Sequence, residues 1–343
     1  MSGKVLVTGA AGYIGSHAVK ALLAGGRSVV GLDNMVRGTR GAVEALRGID
    51  TDDRFTFVEG DISDRTLVPA LLKEHDVREV IHFAALAYVG ESMHEPIRYY
   101  TNNTVGSIHL ITSCVECGVE RFVFSSTCAT YGEPEPDLIP IAESCPQSPI
   151  NPYGASKLFI ERVLEDVAAD VHAKGNAFGV TMLRYFNVAG CDPDGVLGED
   201  HTPETHLIPI VLQAALGKRE AVTIFGDDYA TPDGTCVRDY VHVTDLVRAH
   251  LMALEQLGAH DVRKLNLGVG CGYSVREIIE AVKRVTGKDF PVNMGARRPG
   301  DPPTLTSDAS LAGEVLGWRP EFDELDRIIE TAWAWFQRHP DGY

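Results

Sequence analysis

Residues 5–17 read Val-Leu-Val-Thr-Gly-Ala-Ala-Gly-Tyr-Ile-Gly-Ser-His, an apolar run that meets glycines at 9, 12 and 15 and then turns helical. A strand over Lys4–Thr8 followed by a helix around Ile14–Leu23 puts Gly9, Gly12 and Gly15 in the turn between them. Glycines there let the backbone approach a pyrophosphate, and the N-terminus of the helix offers N–H donors and a partial positive charge. The same spacing also suits any tight strand-to-helix turn, so context has to decide. A second strand, Ser28–Leu32, leads to Asp33, 18 residues beyond Gly15. A carboxylate at that strand end can hold a ribose 2′-hydroxyl and repels a 2′-phosphate, which favours NAD over NADP. Arg37 and Arg40 pull the other way, and Asp33 also reads as a turn residue beside Asn34. Asp61-Ile62 after the third strand can reach the adenine edge, or Asp61 can cap a helix.

Outward from this point, Phe55–Glu59, Glu79–Phe83, Arg121–Ser125 and Thr181–Arg184 are further short apolar strands separated by helical stretches. That alternation predicts an α/β fold, a doubly wound parallel (Rossmann) sheet covered on both faces. The first helix should stop at Gly25-Gly26. After about Asn187 the chain turns Pro- and Gly-rich, at Asp192-Pro193, Asp194-Gly195, Pro232-Asp233-Gly234 and Arg298–Pro303, as expected of a smaller C-terminal α/β domain that covers a substrate. Val237–Leu257 and the strand-like Lys264–Leu267 regain the first pattern. The division is therefore discontinuous: residues 1–188 with about 237–268 bind NAD, and 189–236 with 269–343 bind substrate.

The 343 residues carry a formal net charge of −17 with 44% hydrophobic residues, ordinary for a folded chain and unfavourable to nucleic acid. The apolar runs, such as those at 5–7 and 122–124, are far short of the ~20 residues of a spanning helix, and the start MSGK lacks the apolar stretch of a secretory signal. A cytoplasmic protein without membrane attachment is expected, and seven scattered cysteines fit reduced thiols. Cys114 and Cys117 are read as i,i+3 neighbours on a helix, and no metal site is assigned.

The chemistry should begin at Asn151-Pro-Tyr153-Gly-Ala-Ser-Lys157, an N-cap, a first-turn proline and a helix. Tyr153 and Lys157, four apart, project from one helix face. A tyrosine of ordinary pKa ~10 is a poor base near neutrality, but a neighbouring ammonium and a cationic nicotinamide favour its phenolate. It can then act as a general base on a hydroxyl. The strand ending Phe124-Ser-Ser-Thr127 delivers a further hydroxyl to the same end of the sheet. Thr127 can hold the reacting oxygen there, or simply cap its own turn.

With these elements in place, the sequence resembles the extended short-chain dehydrogenase/reductase superfamily and, within it, the UDP-glucose 4-epimerase family, over nearly its whole length. The segments that carry the resemblance are GAAGYIGSH (9–17), LDN (32–34), GDI (60–62), HFAALAYVGES (82–92), NN (102–103), FSSTCATYG (124–132), NPYGASK (151–157), LRYFNVAG (183–190), THLIP (205–209), IFGDDYATPDGTCVRDYVHVTDL (224–246), NLG (266–268) and RRPGDPP (297–303). The resemblance implies a cofactor site of Gly9, Gly12, Tyr13, Ile14, Gly15, Asp33, Asn34, Asp61, Ile62, Phe83, Ala84, Ala85, Asn102, Ser125, Tyr153, Lys157 and Tyr185. It implies Tyr153, Lys157 and Thr127 as catalytic residues. Thr127, Tyr153, Asn187, His206, Leu207, Thr223, Phe225, Arg238, Arg298 and Asp301 would face the UDP-sugar, with Phe225 against the uracil. The implied reaction is NAD-dependent inversion at C4 of a UDP-hexose through a 4-keto sugar, in a homodimer.

The chain departs from the family pattern at Thr127, where many members have serine, at Ala87, lysine in some, and at His206, asparagine in others. Leu305 is of intermediate bulk where side-chain size bears on 2-N-acetyl sugars. Epimerisation of another UDP-sugar, such as a UDP-N-acetylhexosamine, UDP-pentose or UDP-uronate, stays open. A 4,6-dehydratase would need an acid and a base directly after Thr127, where Cys128 and Ala129 stand. A noncatalytic NAD-binding protein would have no use for Tyr153, Lys157 and Thr127 together.

Overall fold

The apolar run that opens the chain becomes a strand buried along its whole length, and the glycine turn after it feeds a helix, so the first thirty residues set the pattern of the first half. The computed structural model describes residues 3–298 and 301–343. In chain order the elements of the first half are β1 (Val5–Thr8), α1 (Tyr13–Ala24), β2 (Val29–Asp33), α2 (Arg40–Ile49), β3 (Phe55–Glu59), α3 (Leu67–Glu74) and β4 (Glu79–His82). There follow α4 (Val89–His94), α5 (Pro96–Tyr99), a π-helical turn over Tyr100–Val105, α6 (Gly106–Glu116), β5 (Arg121–Ser125), α7 (Pro152–Ala173) and β6 (Gly179–Tyr185). The remainder runs β7 (Asn187–Ala189), α8 (Leu207–Ala215), β8 (Val222–Phe225), β9 (Val237–His242), α9 (Val243–Glu255), β10 (Val262–Leu267), β11 (Gly272–Ser274), α10 (Val275–Thr286), β12 (Val292–Gly295), β13 (Thr304–Leu305), α11 (Ser310–Leu316) and α12 (Leu325–Arg338).

One sheet has the order β10-β6-β5-β4-β1-β2-β3. The pairs from β3 through β6 are parallel, with Val5 opposite Val29 on one side and Glu79 on the other. The sheet is doubly wound: strand order reverses between β1 and β4, and in such sheets ligands bind beyond the carboxyl ends of the strands at that reversal. Leu6, Val30, Val80, Phe122, Phe124 and Met182 from the sheet pack with Leu110, Ile111, Ile160 and Leu164 from the helices, all buried. Each such side chain contributes roughly 1.5–3 kcal/mol of burial. Strands expected at Phe55–Glu59 and Arg121–Ser125 form over those residues, and the others shift by one or two residues at their ends. The first helix closes at Gly25, and Gly26 takes the left-handed conformation with φ of 78°. Cys114 is buried on α6 while Cys117 caps its end, and burial pushes the Cys114 thiol well up, as suits a packing residue.

The chain divides into two compact units. The first takes residues up to Gly132, Pro146–Arg184 and Val247–Leu265; the second takes Glu133–Cys145, Tyr185–Leu246 and Asn266–Tyr343. The stretches 133–145, 185–188, 237–246 and 266–268, read from sequence with the first domain, fall in the second unit; β9 pairs there with β7, β11 and β13. The second unit has its own core, in which Ile208 and Leu212 of α8, Ile278 and Val282 of α10 and Ile328 and Trp335 of α12 pack with Val222 and Ile224 of β8. Asp245, at the start of α9, is buried in this unit and accepts the amides of Glu321 and Phe322 at 2.9 and 2.8 Å. Among the described residues no helix is long and apolar enough to cross a membrane.

Candidate active site

The glycine turn is closed tightly. A Cβ on Gly15 would lie 2.0 Å from the Gly9 carbonyl oxygen, so only glycine lets α1 start this close to the end of β1. Gly12 is the N-cap and brings no side chain to the first turn of α1, the end of a helix where an anion is favoured. Tyr13 and Ile14 form the first turn. Asp33 ends β2, buried, and accepts the Ala11 amide at 3.0 Å and the Met35 amide at 2.8 Å. Burial pushes its carboxyl above the usual range, the Met35 and Ala11 amides oppose this, and Glu59 adds to the rise.

Arg37 and Arg40, which left the choice of dinucleotide open, are both engaged by carboxylates. Arg37 pairs with Glu91 at 2.6 Å and Arg40 with Glu59 at 3.0 Å. Asp61 does not cap a helix; Thr66 is the N-cap residue of α3, and Asp64 accepts the Thr66 and Leu67 amides. Instead Asp61 accepts from the Ser63 amide and hydroxyl through one oxygen and from Asn34 Nδ2 at 2.7 Å through the other. Burial disfavours its charge, but the Ser63 and Asn34 hydrogen bonds hold the carboxyl below the ordinary range. Ile62 is buried and would touch a Cβ on Gly106 at the start of α6.

At the carboxyl end of β4, the Phe83 amide donates to the Thr8 carbonyl at 3.1 Å and the Ala84 amide to Thr8 Oγ1 at 3.3 Å. Ala85 and Leu86 follow, and Leu86 is held through both its backbone groups by the buried side chain of Asn103. Asn103 also receives Asn102 Nδ2 at 2.9 Å and donates to Ser156 Oγ at 3.0 Å, which in turn donates to the Tyr153 carbonyl at 2.7 Å. One side chain from the π-helical turn thus ties the strand-four loop to the helix turn between Tyr153 and Lys157. π-helical turns recur at functional sites, and this one aims Asn103 inward.

Asn151 caps α7 by accepting the Gly154 amide at 2.8 Å, with Pro152 in the first turn. Tyr153 is buried and packs with Leu86 and Tyr99. Lys157 is buried one turn further on, donates to the Ser125 carbonyl at 2.7 Å and sits 4.8 Å from the centre of the Phe124 ring. Burial pushes its ammonium down to about 7, with the Glu161 carboxylate opposing. His82, bonded to Thr8 Oγ1 at 2.7 Å and Ser107 Oγ at 2.8 Å, is pushed down to about 3 by burial and then by the Lys157 charge, so it stays neutral beside the lysine.

Thr127 is buried at the end of β5 and accepts the Ala129 amide at 3.1 Å, so it does cap its own turn. That bond uses a lone pair of the hydroxyl oxygen and none of its donating capacity. The turn lies against the start of α7, since a Cβ on Gly154 would fall 2.4 Å from the Ala129 carbonyl oxygen. Tyr153, Lys157, Ser125 and Thr127 are thus assembled in the first unit.

Beneath them lies a network that the sequence reading did not single out. Glu161, one turn beyond Lys157, is gripped by Arg184 through Nε at 3.0 Å and through a guanidinium nitrogen at 2.6 Å, both groups being 1% exposed. Ser126 Oγ, Gln147 Nε2 at 3.0 Å and, through Arg184, the Tyr131 hydroxyl at 2.9 Å complete it. The signal was present in the four-residue spacing of Tyr153, Lys157 and Glu161, but the partner Arg184 lies on another element.

Apart from Thr127 and Tyr153, the residues expected at the UDP-sugar lie in the second unit. Asn187 starts β7, Thr223 and Phe225 lie on β8, and Arg238 lies on β9 beside Leu305, while Tyr185, expected at the cofactor, ends β6. Asp301 accepts Arg298 Nε at 2.9 Å and lies 3.8 Å from Arg238, while the Arg298 guanidinium covers the Phe225 ring at 5.0 Å. His206 is the N-cap residue of α8 and Leu207 its first residue. Pro299 and Gly300 of the RRPGDPP segment, and Met1 and Ser2 of the opening MSGK, lie outside the described residues.

The NAD dependent epimerase/dehydratase family matches residues 5–268. The chain belongs to this family. Among members of the NAD dependent epimerase/dehydratase family, it is 48% identical to a UDP-glucose 4-epimerase of Lacticaseibacillus casei, over 99% of this chain and 98% of that one. It is 49% identical to that of Streptococcus mutans serotype c, over 99% and 98%. A crystal structure of UDP-glucose 4-epimerase from Bifidobacterium longum in complex with NAD+ and UDP superposes with a TM-score of 0.92 at 38% identity, covering 99% of this chain and all of that one.

Proposed function

We propose that this protein is an NAD-dependent C4 epimerase of UDP-hexoses, interconverting UDP-glucose and UDP-galactose. The observation that carries the reading is the buried Tyr153–Lys157 pair in the first turns of α7, in a chain that matches UDP-glucose 4-epimerases from end to end. The residues present fit NAD. The turn at Gly15 has no room for a Cβ, the N-cap Gly12 brings no side chain to the first turn of α1, and Asp33 stands fixed at the end of β2 with both nearby arginines neutralised. Gly9, Gly12, Tyr13, Ile14 and Gly15 would hold the pyrophosphate, Asp33 and Asn34 the ribose, Asp61 and Ile62 the adenine end, and Phe83–Ala85, Asn102, Ser125 and Tyr185 the rest. When bound, NAD supplies reversible oxidation of the C4 carbon, so that reduction from the other face inverts it with no net redox change.

The chain's own residues move the proton and hold the sugar. Tyr153 takes the proton of the C4 hydroxyl and later returns it. The ammonium of Lys157, anchored on the Ser125 carbonyl, favours the phenolate. Thr127 donates its hydroxyl to the same oxygen and keeps it in line with Tyr153. Asn187, His206, Leu207, Thr223 and Phe225 would hold the nucleotide, with Arg238 and Arg298 meeting the diphosphate and Asp301 setting the two guanidinium groups. Cys128 and Ala129 offer no acid–base pair for loss of water, which favours epimerisation over dehydration. We place the enzyme in the cytoplasm, which its scattered cysteines suit, and as a homodimer, an assembly that the family resemblance alone implies.

Purified protein given UDP-galactose without added NAD should form UDP-glucose; a deoxy-keto product, or no product from NAD-loaded protein, rejects the assignment. Tyr153→Phe should keep its NAD and lose turnover by a factor on the order of 10² to 10⁴.

A further inference from the structure

In the second unit, the loop that leads into α8 gathers Glu199, His201, Glu204 and His206 so that one ligand atom from each lies within 4.8 Å of the others. It is the one such group of three or more His, Cys, Asp or Glu among the described residues. Glu199 Oε1 is 2.8 Å from His206 Nδ1 and 3.3 Å from His201 Nδ1. The Glu204 carboxylate is 3.1 Å from His206 Nδ1 and 3.6 Å from His201 Nδ1 through its two oxygens. A tetrahedral zinc with ligands at ~2.0–2.1 Å has its ligand atoms about 3.4 Å apart; the carboxylate–imidazole separations run from 2.8 to 3.6 Å, with Glu204 meeting the two imidazoles through different oxygens.

The site is also built. Both carboxylates are 3% exposed, and Glu204 is oriented by the Thr205 and His206 amides at 2.7 and 2.8 Å. Glu199 Oε1 is buried and closes no hydrogen bond of ordinary geometry among the described residues, although an imidazole nitrogen is within reach. Two carboxylates buried side by side need positive charge between them.

We propose that Glu199, His201, Glu204 and His206 form a structural site for a zinc-class divalent cation. Two imidazole nitrogens and two carboxylate oxygens are a donor set that suits Zn²⁺ and is poor for Mg²⁺, which prefers octahedral oxygen. All four ligands fall within eight residues, so the ion would pin this loop to the start of α8 and fix His206 and Leu207. The site stands independently of the epimerase reading.

The test uses the full-length protein with its NAD, stripped by chelator, reloaded with Zn²⁺ or Mg²⁺, desalted and measured for metal. About one zinc per chain, no retained magnesium and a nitrogen/oxygen zinc absorption-edge shell with imidazole scattering are expected. His201→Ala and Glu204→Gln should each weaken zinc binding by more than about tenfold while NAD content is kept. Failure of the wild type to retain zinc, a sulfur shell at thiolate distance, or equal retention by NAD-loaded variants would overturn the proposal, the last two by putting the metal on cysteines or elsewhere.

Discussion

Lys157 carries two separable burdens. Its ammonium is needed beside Tyr153, yet burial holds it down to about 7 against an ordinary 10.5. The unfolded chain therefore binds the proton more tightly than the fold between those values. The sign follows: this lysine penalises folding below about pH 7, and the penalty is relieved as pH rises through about 10.5. Lys157→Met should accordingly be more stable than the parent in urea at pH 6, with the gap shrinking toward pH 10. The same variant removes the charge that favours the phenolate, so the rising limb of its pH–kcat profile should move up by roughly 1 to 3 units. A profile that falls in amplitude without moving would leave the lysine only a structural role. Asp33 makes the complementary point at the other end of the site. Its carboxyl is held by two backbone amides, so its role in the sequence argument rests on a position the fold has already fixed.

At the scale of elements, the site depends on how closely α7 meets the turn after β5. Gly154→Ala forces the helix off the Ala129 carbonyl, and a displacement of about 1 Å costs on the order of 10² in rate. A variant of unchanged kcat, with Thr127 and Tyr153 intact, would show that this apposition does not matter. Deeper in the same helix, Glu161→Gln leaves Arg184 buried without its counter-charge and should cost about 3–5 kcal/mol in denaturant unfolding. What could be read in sequence divides along the same line. The glycine turn, the cap Asn151 with Pro152 and the i,i+4 pair of Tyr153 and Lys157 are local, each fixed by residues within a turn or two, and they are legible because backbone sterics and helix periodicity act at that range. Arg184 under Glu161, Asn103 bracing Leu86 and Ser156, and the carboxylates that neutralise Arg37 and Arg40 join residues 17 to 54 apart in the chain. No spacing rule announces them. The strand 237–242 escaped the domain reading for the same reason, since its apolar pattern tells of burial and not of which sheet it joins.

For the whole molecule the governing quantity is the net charge of −17, set against a substrate that is itself an anion. Two of the cations expected to meet the diphosphate, Arg238 and Arg298, already share Asp301, so local attraction is partly spent within the protein. The long-range field should therefore slow the approach of a UDP-sugar, and the effect should depend on how far that field reaches. At 10 mM ionic strength the screening length is about 30 Å and the molecule repels as a body; at 150 mM it is about 8 Å and only nearby charges act. kcat/KM for UDP-galactose should rise across that range while kcat stays nearly constant, because screening changes encounter and leaves the enclosed chemistry alone. Asp301→Asn releases both guanidinium groups from their carboxylate and should raise kcat/KM most at low salt, flattening the dependence. If kcat/KM instead falls with salt, as for a site that steers its anion in, the arginines outweigh the rest of the surface and the acidic field has no part in substrate capture.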